Sequence, residues 1–325
     1  MTANVSSTNN FELTKNQICT LALQGCGVLG AEETPQSSDL NYAALMLNGL
    51  MKTWEADNMG NWAQTEATLF LTPGQAIYSI GTPNPANASS VNVVETTLEV
   101  ASALGSSTLE VTSISADGIS LPATMLVGDN IGIVQTDGTC QWTTITNIAS
   151  EIITIAATLT VGAALGTQIY SFTSVMSRPM NITQVRFRNS DGVDRQLTSQ
   201  SRSDYYLQPT KFFLSEPLAY YYDFQLNNGT LILWPVPQDA TGRLKFTYVR
   251  TLEDIVNAGD NPDFPQEFLL PLVVNLTAIL TFAYGKEAKL QILGPVADSL
   301  KAIAKGYDVD ENPISIVPDT SGDNN

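Results

Sequence analysis

The sequence predicts an α+β fold: a helical hairpin and C-terminal helices packed with antiparallel strands, plus an inserted small all-β domain. Three observations lead there. Apolar residues recur at helical spacing in two segments before residue 60 and again after residue 265. Between them run short Val-, Ile-, Thr- and Tyr-rich stretches punctuated by Pro-Gly, Asp-Gly and Asn-Gly pairs, the pattern of strands joined by tight turns. From Thr53 to Ser177 the chain carries ten Asp and Glu but no Lys or Arg, and a block within that stretch differs in texture from its flanks.

TKNQICTLALQGCGVLG opens with a capping box, Thr14 and Gln17, and sets Ile18, Leu21, Ala22, Gly25 and Leu29 on one stripe; Gly30 and Pro35 stop the helix. The next helix begins near Ser38, repeats Leu40, Ala43, Ala44, Leu47, Leu50, Met51 and Trp54, and ends by Gly60. So short a connection predicts an antiparallel helical hairpin. Strands at 67–71 and 75–80 follow on Pro73-Gly74, a pair suited to a type II turn. GTPNPANASSVN (81–92) has the composition of a linker. The block 93–173 then reads as short strands, with a hairpin on Asp137-Gly138 and further strands in EIITIAATL and QIYSFT.

The host resumes in RPMNITQVRFRNSDGVDRQLTS, two strands around an Asp-Gly turn, and a short helix capped by Ser201 and ended by Pro209. LAYYYDFQLNNGTLILWPVP predicts a hairpin on Asn228-Gly229, and RLKFTYVR a further strand. Pro265 suits a first helical position, Gly285 a cap after the apolar helix, and Gly294-Pro295 predicts a break or kink in the last helical stretch, which runs to Lys305. The expected organisation is a host domain from 1–92 and 174–305, an inserted β domain at 93–173, and a tail at 306–325.

Composition excludes much chemistry. The net charge is −17 and charged residues are only 14%, so most of the chain is unsuited to gripping phosphates. The stretch from Arg178 to Arg250 leans the other way, nine basic residues against six acidic, a balance of +3. The chain has no histidine, which removes Ser-His-Asp and Cys-His catalysis and histidine-ligated zinc. Three cysteines are too few for a four-cysteine zinc site, and Cys19 and Cys26, about 10.5 Å apart on one helix, are too far apart for a disulfide. The N-terminus has neither basic start nor apolar run, so no signal peptide is expected. FLLPLVVNLTAILTFAYG reads as a core helix rather than a membrane span.

Three motifs read as structure. GCGVLG (25–30) matches a dinucleotide pattern by letter but closes a helix instead of opening one, so its glycines end a helix or allow close packing. DVDENPISIVPD starts like a calcium loop with Asp308, Asp310 and Asn312, but has Pro313 where glycine is needed and Asp319 where glutamate is. Glu253, Asp254, Asp260, Asp263 and Glu267 favour the dipole of the helix they precede. The aromatic group Tyr220, Tyr221, Tyr222, Phe224 and Trp234 reads as core or subunit interface before sugar platform. Arg186, Arg188, Arg195 and Arg202 form the one basic stripe and are the candidate interface residues, with salt bridging to acidic neighbours as their ordinary use.

In order, LNYAALMLNGLMKTWEADNMGNW, TEATLFLTPGQAIYSIG, RFRNSDGVDRQLTSQSRSDYYLQPTK, PLAYYYDFQLNNGTLILWPVPQD, LKFTYVRTLEDI and NPDFPQEFLLPLVVNLTAILTFAYG resemble the head–tail adaptor (connector) proteins of tailed, especially short-tailed, phages. The resemblance runs from about Ser38 to Lys305. It implies a structural virion protein, not an enzyme, without cofactor or metal. It implies a homo-oligomeric ring, typically a dodecamer, between the portal protein and the tail nozzle or tail tube protein. Genomic DNA would pass through without sequence-specific binding. The expected location is the head–tail junction, reached from the host cytoplasm, with no membrane partner. A glycan- or receptor-binding tail component using the inserted β domain is the alternative, and a glycosidase ranks third. In the tail, Ile314, Ile316 and Val317 form a β-branched run between prolines, a candidate portal-docking strand.

Overall fold

The computed structural model describes residues 11–57, 59–81, 88–115 and 123–308. The chain begins with α1 (Lys15–Cys26), α2 (Ser37–Ala56), β1 (Gln64–Phe70), β2 (Ile77–Ile80) and β3 (Ala88–Ser89). Then come β4 (Val94–Thr97), β5 (Thr108–Glu110), β6 (Asn130–Val134), β7 (Cys140–Ala149), β8 (Ile152–Ile155) and β9 (Gln168–Phe172). β10 (Asn181–Arg188), β11 (Asp194–Gln196), β12 (Thr198–Ser199), α3 (Arg202–Leu207), β13 (Ala219–Phe224), β14 (Gly229–Trp234) and β15 (Arg243–Val249) precede α4 (Gln266–Ala283) and α5 (Glu287–Tyr307). The class is α+β. The chain forms two compact units, one of 1–63 with 252–325 and one of 64–251. The first cut falls between Ala63 and Gln64, where helix gives way to strand, and 93–173 lies inside the second unit.

The helical unit packs α1 and α2 against α4, and α5 against α4. The α1 cap is the expected box: Gln17 N donates to Thr14 Oγ1, and Thr14 N donates to Gln17 Oε1 at 2.9 Å. Ile18, Ala22 and Leu23 of α1, Leu47 and Trp54 of α2, and Leu272, Leu276 and Leu280 of α4 form its core. α4 spans 18 residues and is apolar enough to cross a membrane by composition, but its buried face is this core. The GCGVLG glycines do both jobs read from sequence. Gly27 ends α1 in the left-handed region at φ +79°, and a Cβ on Gly25 would stand 2.9 Å from Thr277 Cγ2.

Two expectations at the C-terminal end are corrected. Pro265 is the N-cap of α4 rather than its first helical residue. α5 runs unbroken through Gly294-Pro295 to Tyr307. Asp308 closes it, accepting from Gly60 N at 2.7 Å and Asn61 N at 2.8 Å.

The strand unit contains three sheets. The first has the order β11-β10-β15-β1-β3, the second β12-β13-β14-β2 and the third, from the 93–173 block, β4-β9-β6-β7-β8-β5. The first two share one core, with Leu69, Phe246 and Tyr248 from one and Tyr78, Leu231 and Leu233 from the other. The third has its own core around Val94, Ile131, Ile153 and Ile169.

The 67–71 and 75–80 strands are not a hairpin. The turn forms as expected, with Gly74 at φ +75° and Gln75 N donating to Thr72 O at 3.1 Å. Yet β1 pairs with β15 and β3 while β2 pairs with β14, so consecutive strands enter different sheets. Nor does Asn228-Gly229 form the centre of a two-residue turn. Phe224 pairs with Gly229 across a four-residue loop, so Gly229 already belongs to the strand. A Cβ there would meet the Tyr222 hydroxyl at 2.2 Å, which is why glycine stands at that place.

Candidate interaction surfaces

The basic stripe is one face of a sheet. Alternation along β15 sends Leu244, Phe246 and Tyr248 into the shared core and turns Arg243 and Lys245 to the opposite face. Register places Arg186 beside Lys245 and Arg188 beside Arg243, so four cations stand side by side. Three carboxylates answer them. Arg186 Nη2 reaches Glu66 Oε2 at 2.8 Å, and Arg188 holds Asp194 through two bonds of 2.6 and 2.9 Å. The Arg188 bonds hold the Asp194 carboxyl below the usual carboxylate range and raise the guanidinium.

The third carboxylate comes from the 93–173 block. Glu95 of β4 accepts from Arg243 Nε at 2.7 Å, and Lys245 Nζ lies 2.6 Å from its other oxygen. All three side chains are at least nine-tenths buried. Burial alone would raise the Glu95 pKa, but the facing charges of Arg243 and Lys245 outweigh it and bring it down. Beside this triad Phe70 of β1 stacks on Tyr170 at 4.6 Å and meets Trp142 at 5.2 Å, a small aromatic core linking the third sheet to the first.

The four candidate arginines therefore separate. Arg186 and Arg188 are spent on the sheet face. Arg195 pairs with Glu216 at 3.2 Å and donates to Pro217 O. Arg202, at the start of α3, has no carboxylate partner among the described residues and lies over the Tyr206 ring. Arg178, not singled out from sequence, is similar: it donates to Gln225 O and lies 4.1 Å over Phe224.

Arg202 opens a segment that exposes large apolar side chains, with Leu207 78% and Phe212 87% accessible. Its backbone is nonetheless fixed. Lys211 Nζ donates to the carbonyls of Tyr205, Tyr206 and Gln208, capping the end of α3, and Trp234 Nε1 donates to Thr210 O at 2.8 Å. Ser215 N donates to Val236 O and Val236 N to Phe213 O, each at 2.9 Å. The one sequence signal was Phe212-Phe213-Leu214 in a turn-rich stretch, hydrophobic where loops are polar.

The sugar-platform reading loses three of its five residues to the fold. Tyr220 is buried, Tyr222 donates to Pro179 O, and Trp234 is tied to Thr210. The acidic cluster before α4 is used locally: Asp260 accepts from Val256 N and Asn257 N, and Asp254 pairs with Lys52. Among the described residues no group of three His, Cys, Asp or Glu is placed to hold a metal. Burial raises the Cys19 thiol to about 11 and the Cys140 thiol to about 12, which keeps both unreactive. Ile314, Ile316 and Val317 lie outside the described residues, as does the calcium-like stretch after Asp308.

A family model described as SU10 adaptor protein matches residues 40–291, which takes in all of the strand unit and part of the helical one. No curated protein matches the chain. Among solved structures, VP17, a capsid protein of bacteriophage P23-77, shares 16% identity over 58% of this chain and 75% of its own, with a TM-score of 0.12. A likeness that small carries no argument.

Proposed function

We propose that this chain, which belongs to the SU10 adaptor protein family and is a structural component of a phage virion rather than an enzyme, forms a ring between portal and tail. The ring joins head to tail and lets the genome pass. The family match across 40–291 carries the reading. Supporting it, each cation on the sheet face is paired with a carboxylate within the chain, and large apolar side chains stand exposed, as assembly through protein contacts requires.

The partners in this reading are the portal protein, a tail nozzle or tail tube protein and further copies of the chain, twelve to a ring. Ile314, Ile316 and Val317 would add a strand to the portal, and Arg202 belongs to a contact between copies. Negative-stain images of the purified protein, alone and mixed with its portal, test this. Rings capping the portal support it; an unchanged portal and a monomer at all concentrations defeat it. A truncation that tests the tail should fall after Asp308, since cutting at Lys305 also removes the bonds to Gly60 and Asn61.

We read 93–173 as an inserted domain that the host outlives. Its excision removes both Glu95 and the sheet that lies over Arg243 and Lys245, leaving these cations to solvent. The test therefore replaces 93–173 by a Gly-Ser linker with Arg243 and Lys245 kept, and expects a soluble, cooperatively folding host. Aggregation of that product would count against a separable insertion.

A further inference from the structure

We infer that copies of this chain join through their helical units, α5 of one copy crossing α2 of the next at Ser299 and Gly49. The inference rests on the ring reading above and deepens it by naming the contact.

α5 carries its apolar residues the wrong way round for a helix that serves only its own core. Its buried residues are two alanines, Ala297 and Ala304, and Asn275 of α4 donates to Ala297 O at 3.1 Å. The larger side chains point outward: Ile292 is 73% exposed and Tyr307 71%, and Val296 and Ile303 are exposed between them. A surface helix ordinarily turns its large apolar side chains inward. With Ser299, also exposed, these residues follow at steps of four, three, four and four, one seam about 22 Å long at 1.5 Å per residue. No charged residue interrupts it. Lys301 and Lys305 instead reach Asp57, just beyond α2, at 3.0 and 2.9 Å. Each stands two residues from Ile303, about 200° around a helix, so the seam looks away from α2 of its own copy.

α2 offers a second uncharged seam of similar length. Tyr42, Leu45, Gly49, Thr53 and Ala56 are exposed at steps of three, four, four and three. Thr53 Oγ1 donates to Gly49 O at 2.9 Å, so that hydroxyl is satisfied within the helix. Gly49 is the anomaly. Glycine weakens a helix interior relative to alanine, yet a Cβ at Gly49 would meet nothing within 4 Å among the described residues. A helix crossing from outside does use the missing side chain, because the residues at a crossing point set how closely two axes approach.

Ser299 and Gly49 each stand third of five in their seams. A crossing there sets Val296 and Ile303 against Leu45 and Thr53, with charge excluded, as the centre of a protein interface requires. The occupant is a second copy, since the two seams are unlike and the α5 seam cannot meet α2 of its own chain. Unlike faces on one subunit make a heterologous contact, which closes into a ring when the rotation allows; a two-fold contact would match a seam with itself.

Full-length Gly49→Cys and Ser299→Cys test this, oxidised separately and as an equimolar mixture, alone and over purified portal rings. The unaltered chain, with its three free cysteines, gives the background. Covalent dimer should form at least about tenfold faster in the mixture than in either variant, because only there do the two thiols come within disulfide range. Dimer at an equal rate from one variant by itself would mean a two-fold contact and overturn the crossing, as would rings that give no dimer in any arm. Gly49→Leu, for which its own copy has room, should keep the circular dichroism of the unaltered chain yet assemble at least about tenfold more weakly, as an overpacked crossing would. Unchanged assembly of Gly49→Leu overturns the contact. The same mixture in chains ended after Asp308 tests the tail as occupant: cross-linking seen only there puts the tail on a seam and overturns the inference. If the unaltered chain forms no ring in either setting, the ring reading fails and takes this contact with it.

Discussion

The helical unit and the strand unit are held together by different physics. The helical core is closed mainly by apolar contact, with Trp54, Leu272 and Leu276 wholly buried and the buried hydroxyls of Thr277 and Thr281 donating to carbonyls of their own helix. The strand unit also joins its third sheet to its first, and does so through a buried ion triad, Glu95 with Arg243 and Lys245, beside an aromatic cluster. A buried triad is costly to assemble and more costly to leave incomplete. Its contribution is to fix which surface of the third sheet meets which face of the first.

The largest expected effect therefore comes from Glu95→Gln, which keeps the shape and strands two buried cations. It should lower the stability of the strand unit by about 3–5 kcal/mol, read as a fall in the urea midpoint of a fluorescence or exchange signal confined to 64–251. Adding Arg243→Leu and Lys245→Met should recover most of the loss; no recovery would mean that the triad's charges are not what binds the sheets.

The same triad predicts acid sensitivity. The Glu95 pKa is lower in the folded chain than in the unfolded one, so its stabilisation is fully present above the unfolded value of about 4.3. It is lost as pH falls from there through the folded value. An acid titration should loosen the strand unit below about pH 4.3 with a slope that Glu95→Gln flattens.

In the helical unit Leu276→Ala should cost about 2–5 kcal/mol, with a midpoint shift of the helical signal and the pH profile left as before. Thr14→Ala removes one half of the α1 capping box and should cost about 0.5–2 kcal/mol, visible as faster amide exchange in the first turn of α1. Smallest of all, Arg195→Ala breaks a largely exposed pair with Glu216 and should move stability by less than about 1 kcal/mol. A loss comparable to Glu95→Gln would erase the contrast between surface and buried pairs.

Local signals were legible in the sequence because they are complete within a few residues. Thr14 with Gln17 and Ser201 with Asp204 form their capping boxes from one turn of chain. Gly74 and Gly192 take the positive φ that their turns require. What failed depended on distant strands. Nothing near Pro73-Gly74 tells that β1 will pair with β15 and β2 with β14. Pro295 reads as a helix breaker, yet α5 continues through it. The arginine stripe was visible, but its sorting was not: Arg186 finds Glu66 across 120 residues, and Arg243 finds Glu95 across 148. Arg202 stands out only once the other three are seen to be occupied.

The turn at Thr72–Gln75 also bears on how the chain is made. Because β1 waits for β15, Gln64 must leave the ribosome well before its partner Val249 exists. At roughly 5–20 residues per second, translation holds that strand without its partner for about ten to forty seconds. Leu69 lacks its β15 neighbour Leu244 for that interval, and the helical hairpin of α1 and α2 waits longer still for α4. Neither unit can finish while the chain is being synthesised in its first half. A nascent chain stalled before residue 243 should accordingly bind holdase chaperones, and one released at full length should shed them.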